Sequence, residues 1–173
     1  AVARRANLIL SDPDGHIIDC LRRIDFEMNP DRQVLPGLFY HLPTPPDKVS
    51  PFTVTEEEFA ALAAAAGEGA PADQWLVRTV NGLSPLVARE LTFRACGSTD
   101  APVTGHTAAL WSAFAAWRDT ANEKHFTPAM LKRSGVPMDF TYLPVEQYGG
   151  AAEEETYTSF SRLLDDFYEK REQ

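Results

Sequence analysis

Asn81-Gly82 and Ser84-Pro85 set a helix stop and a helix start almost in contact, and no other feature of the chain restricts its fold as tightly. Helix-forming residues flank this junction from Gln74 to Ala95. Glycine enters the left-handed conformation without a Cβ penalty, so Asn81-Gly82 is expected to end the first helix. Ser84 supplies an N-cap oxygen, and Pro85 falls at the first helical position, where no N–H is needed. Two short helices over 72–80 and 85–95 are predicted, joined by a tight corner. The amides of Leu86 and Val87 then lie near a helix N-terminus, whose dipole favours an anion. Asn81, Gly82, Ser84 and, one turn inside the second helix, Arg89 are the candidate phosphate-corner residues. Such a corner is one way to grip a nucleic-acid backbone and also an ordinary way to turn a chain.

Charge bears on that choice. With 25 acids against 16 Lys and Arg, the net charge of −9 argues against a free-standing nucleic-acid-binding domain, because phosphate neutralisation supplies most non-specific affinity. The acids are uneven: Glu56-Glu57-Glu58 and Glu153-Glu154-Glu155 read as solvated helix-start or loop residues. Arg4-Arg5 and Arg22-Arg23 leave the N-terminal part closer to neutral. At 173 residues and 44% hydrophobic the chain can bury a core. No run approaches the roughly 18 apolar residues of a membrane span, and no signal peptide is read at the start. Cys20 and Cys96 lack metal spacing and are expected as reduced thiols. The opening Ala1-Val2-Ala3-Arg4-Arg5 runs straight into a strand, which reads as a piece of a longer protein.

The organisation is α+β. Apolar runs at 7–10 and 16–20 flank Asp12-Pro13-Asp14-Gly15 and predict a β-hairpin, followed by a proline-rich loop closed by Pro51. Thr55 and Glu58 form a capping box opening a helix to about residue 66. After the helix pair, Leu110, Phe114 and Trp117 recur at helical spacing over 107–122; Trp75 and Trp111 are expected in the same core. A second hairpin joins 127–131 to 138–143 through Lys132-Arg133-Ser134-Gly135, then an acidic loop follows Gly149-Gly150. A last helix capped by Ser159 or Ser161 places Phe160, Leu163, Leu164 and Phe167 on one stripe. Three regions result: 1–50, the end of a β-lobe; 51–122, a helical lobe; and 123–173, a returning hairpin and terminal helix. Removal of pairing partners would leave an exposed strand edge, a route to a dimer.

No catalytic constellation emerges. His16, His41, His106 and His125 share no metal spacing, and phosphate-loop, nucleophile-elbow and dinucleotide motifs are missing. No cofactor or metal is expected, and a binding role outranks an enzymatic one. Arg4, Arg5, Arg22 and Arg23 are the remaining electrostatic candidates. Strand alternation allows only one of each pair on a given face, and solvated strand-end arginines are the plain alternative.

Four segments carry a family resemblance. Arg4-Arg5-Ala6-Asn7-Leu8-Ile9-Leu10 is similar to a Gly-Arg-x-Ser-Asn-x-Ile-Leu strand, and Val34-Leu35-Pro36-Gly37 with Tyr40 to a Leu-Pro-Gly loop. Asn81-Gly82-Leu83-Ser84-Pro85 matches a Gly-x-Ser-Pro helix pair, and Phe160-Ser161 through Phe167-Tyr168 a helix that precedes coiled-coil arms. Together these resemble the N-terminal NFACT domain of the bacterial RqcH, or fibronectin-binding protein A, family. The resemblance implies a β-lobe with a helix-two-turn-helix lobe, as in formamidopyrimidine-DNA glycosylases, in a cytoplasmic factor of ribosome-associated quality control. Such a factor binds the large ribosomal subunit carrying peptidyl-tRNA, recruits tRNA and supports template-free alanine tailing. It implies Arg4 and Asn7 as tRNA contacts. The family's Asp-Arg motif lies upstream of the matched strand, and its glycine and serine are Ala3 and Ala6 here. The older family name suggests a fibronectin-binding adhesin as the alternative; a DNA-repair glycosylase is disfavoured, since its proline nucleophile and zinc finger are missing.

Overall fold

The computed structural model describes residues 6–43 and 47–172, the side chains of 171 and 172 excepted. The chain divides into two compact units, one up to residue 46 and one from 47 onward. The fold is α+β, with small antiparallel sheets and five α-helices among the described residues.

In the first unit the expected hairpin forms from β1 (Ile9–Ser11) and β2 (Ile17–Cys20), paired antiparallel. Asp12 makes its turn: Oδ1 accepts from the amides of Asp14 at 3.0 Å and His16 at 2.8 Å, and Gly15 takes φ +92°. The Pro36-Gly37 loop then returns along β2, with the Gly37 amide donating to the Ile17 carbonyl and the Ile17 amide to that of Leu38. Ile17 and Val34 are buried, whereas Leu8, Leu10, Ile18 and Leu21 are exposed.

The second unit opens on α1 (Glu56–Ala64). Thr55 and Glu58 make the capping box reciprocally, and the first acidic triplet occupies the first turn as expected. Next come α2 (Ala72–Thr79), α3 (Pro85–Cys96) and α4 (Thr107–Asn122). Phe59 is their centre, its ring 5.0 Å from Trp75, 5.3 Å from Trp111 and 5.4 Å from Phe114. Trp75 and Trp111 are therefore packing residues, as expected.

β3 (Ala129–Arg133) and β4 (Val136–Thr141) form the second hairpin. Its turn is only Ser134-Gly135, both with positive φ, so Lys132 and Arg133 extend β3. This two-residue turn follows the twist of the strands. Strand alternation sends Leu131 into the helical core and Met130 to the opposite face, where Leu163 and Phe167 of α5 (Phe160–Glu172) cover it. Ser159 is the residue that caps α5, accepting from the Arg162 amide at 3.3 Å.

The second acidic triplet corrects its sequence reading. Glu153-Glu154-Glu155 is not a loop but the body of β5 (Glu153–Thr156), which pairs antiparallel with β3 to give the order β4-β3-β5. All three glutamates stay exposed on this edge strand, where charge is tolerated, and Lys132 of β3 pairs with Glu155. The Lys132 ammonium holds the Glu155 carboxyl below its ordinary range.

Candidate functional site at the helix corner

The corner between α2 and α3 forms, but its first half differs from the expectation. α2 stops at Thr79, ahead of the Asn-Gly pair, because Val80 turns extended (φ −105°, ψ 130°) and bridges Val49 in parallel. The Val49 amide donates to the Thr79 carbonyl and the Asn81 amide to that of Val49. The buried Val80 thus ends the helix by pairing, and Gly82 at φ +80° serves the turn that follows. The second half follows the expectation: Ser84 Oγ accepts from the Val87 amide at 3.3 Å, and Pro85 is the first helical residue. The Val87 and Ala88 amides are thereby bonded to Ser84, through its hydroxyl and its carbonyl.

Two cavities adjoin on this corner and share Tyr142 and Phe160 as a common wall. The first, about 530 Å³, is bounded by Asn81, Gly82, Phe52, Trp117 and Phe126. The second, about 560 Å³, is bounded by Ser84, Leu86, Arg89, Asp139 and Leu164. The four corner candidates therefore come together along one groove, Asn81 and Gly82 at one end, Ser84 and Arg89 at the other.

Arg89 is half-buried and held. Its Nε donates to Gln147 Oε1 at 3.2 Å, and Gln147 Nε2 donates in turn to the Leu86 carbonyl at 3.0 Å. Beneath it lies Glu90, fully buried, whose carboxylate accepts from the amides of Glu146 and Gln147 at 3.0 Å and from Arg94 Nε at 2.7 Å. A buried charge persists only with such partners. This clasp pins the 144–148 segment to α3 and so fixes the side chain that steadies Arg89. Glu90 and Gln147 become site residues only in the folded chain. The Glu90–Arg94 spacing of four was a legible signal; the partners from 146 and 147 were not.

The wall of the first cavity is rigid as well. Trp117 Nε1 donates to the Tyr142 hydroxyl at 3.1 Å, and Phe126 stands edge-on to Tyr142 with centroids 5.6 Å apart. Burial pushes the Tyr142 phenol above its ordinary range, against the opposing effect of the Trp117 N–H, so it keeps its proton at neutral pH.

The remaining candidates belong to the first unit. Arg4 lies outside the described residues. Asn7 and Arg22 are brought together through the backbone: Asn7 Nδ2 donates to the Arg22 carbonyl at 2.7 Å, and Asn7 Oδ1 accepts from the Arg22 amide at 2.8 Å. The Asn7 amide thus lengthens the hairpin pairing, while the Arg22 side chain is exposed. Among the described residues no group of His, Cys, Asp or Glu could hold a metal ion, both cysteines are free thiols, and no helix is long and apolar enough to cross a membrane.

Comparison with known proteins adds a lineage to this geometry. The family described as NFACT N-terminal and middle domains matches residues 2–173. The Rqc2 homolog RqcH of Bacillus subtilis (strain 168) is 32% identical over 168 residues, which cover 96% of this chain and 27% of that protein. The fibrinogen binding protein from Staphylococcus aureus superposes with a TM-score of 0.72 at 25% identity, over 95% of this chain and 55% of that one. The N-terminal part of the fibronectin/fibrinogen-binding protein from Streptococcus suis shares the fold, with a TM-score of 0.64 at 22% identity over 96% and 53% of the two chains.

Proposed function

The chain belongs to the NFACT family of N-terminal and middle domains, and from that premise we propose that it is a tRNA- and ribosome-binding segment of a ribosome-associated quality-control factor. In this reading the intact protein acts in the cytoplasm, engages the large subunit carrying peptidyl-tRNA and supports template-free alanine tailing. This segment supplies contacts and no catalytic centre. The observation that carries the reading is the likeness to RqcH along nearly the whole chain.

The residues have distinct roles. Arg4 and Arg22 meet the phosphate backbone. Asn7 holds the Arg22 backbone in place as a positioning residue. Ser84 and Gly82 shape the corner, and Arg89 offers a guanidinium at its edge, with Asn81 at the far end of the groove. Phosphate contacts of this kind set affinity and make it salt-dependent. Charge reversal at Arg4 in the intact protein is expected to weaken tRNA association and to lower the slope of log affinity against log salt by about one. Unchanged affinity and slope would remove Arg4 from the contact set.

A second reading, an adhesin that binds fibronectin, draws on the name of the Streptococcus suis relative, a fibronectin/fibrinogen-binding protein. Direct binding of the intact protein to immobilised fibronectin, compared with co-sedimentation on large ribosomal subunits, separates the two.

A further inference from the structure

The first cavity of the corner groove has a composition that phosphate binding does not explain. Its boundary carries five aromatic rings, Phe52, Trp117, Phe126, Tyr142 and Phe160, and no charged side chain among the described residues. Phe52, Phe126 and Phe160 on this boundary are 56%, 41% and 41% exposed. Trp117 and Tyr142 are locked to each other behind them. Phe126 is edge-on to both Tyr142 and Phe160, so the rings face the cavity from different directions. Asn81, exposed at the rim, brings an amide that both donates and accepts. The positive charge lies next door, on Arg89, across the shared Tyr142–Phe160 wall.

We propose that this aromatic cavity receives one unstacked base of a single-stranded RNA segment, with Asn81 bonding the base edge and Arg89 meeting the neighbouring phosphate. Unpaired bases are recognised by stacking on aromatic rings and by hydrogen bonds to their edges, and an asparagine amide matches an adenine edge in two bonds. An uncharged cavity takes the base and excludes the phosphate; the guanidinium one compartment away takes the phosphate, with Asp139 the acid among the described residues that line it.

The proposal rests on the tRNA-binding reading and adds the base-accepting cavity to it. The test uses the intact protein and a hexaribonucleotide with a central 2-aminopurine, read by its fluorescence and by binding affinity. Phe126→Ala and Phe160→Ala, both at partly exposed positions, are expected to weaken binding by about tenfold each and to abolish the fluorescence change, with the salt slope unaltered. Arg89→Gln is expected to lower the salt slope while keeping the fluorescence change. Full affinity and fluorescence change in both phenylalanine variants would overturn the cavity assignment and leave the tRNA reading standing. Displacement of the hexamer by an apolar peptide, with those variants binding RNA normally, would assign the cavity to a protein side chain and overturn it too. Failure of the wild-type protein to bind either tRNA or the hexamer would overturn both readings.

Discussion

Arg89 and Glu90 are neighbours in sequence with opposite situations: one is half-buried at the edge of a groove, the other completely enclosed. The enclosed acid determines how well the guanidinium is held, because it fixes the segment that bears Gln147. Glu90→Ala leaves the amides of Glu146 and Gln147 and the Arg94 guanidinium without their acceptor. A loss of about 3 kcal/mol in urea unfolding is expected. Glu90→Gln, which keeps a neutral acceptor, should lose less. Asn7→Ala removes two hydrogen bonds to the Arg22 backbone and is expected to cost about 1 kcal/mol, since both are solvent-accessible. Its tRNA affinity should fall less than that of a variant at Arg22 itself. Candidate residues on one face of a turn were legible because Asn, Gly, Ser and Pro have fixed conformational uses. Glu90 and Gln147 were not, since 57 residues separate them and only the folded chain makes them partners.

Local signals decide the elements here wherever capping or turn chemistry is explicit. The Thr55–Glu58 box, the Ser84-Pro85 start and the Asp12 turn all depend on residues within four positions of one another, and all three form. The end of α2 and the whole of β5 do not, because both follow from long-range pairing: Val80 with Val49, and three glutamates with a strand about 23 residues earlier. Ser84→Ala should therefore cost about 1 kcal/mol by loss of the cap. Gly82→Ala should cost a similar amount through its φ of +80° alone, since a Cβ there meets open space. The β3–β5 pairing should also depend on pH. The Glu155 carboxyl titrates below its unfolded value of 4.5 in the folded chain, so its contribution is complete above that value and is lost as pH falls through the lower, folded one. Melting temperatures between pH 6 and pH 3 should show this loss, and Lys132→Met should flatten it.

On the scale of the molecule, an acidic chain that meets RNA must do so through local arrangement, since its total charge of −9 opposes the encounter. The first unit offers Arg22 beside a hairpin with exposed apolar residues, and the second offers a groove with Arg89 at one end and aromatic rings at the other. Neither arrangement was legible as a site from composition, which pointed away from nucleic acid; the motif order carried the family and the folded groove carried the chemistry. We propose that these features serve ribosome-associated quality control. Co-sedimentation of the intact protein with large ribosomal subunits carrying peptidyl-tRNA tests it most directly, with fibronectin binding measured in parallel. Salt-sensitive co-sedimentation that Arg89→Glu weakens is expected, with no saturable binding to fibronectin. Saturable fibronectin binding with no subunit association at any salt concentration would contradict it.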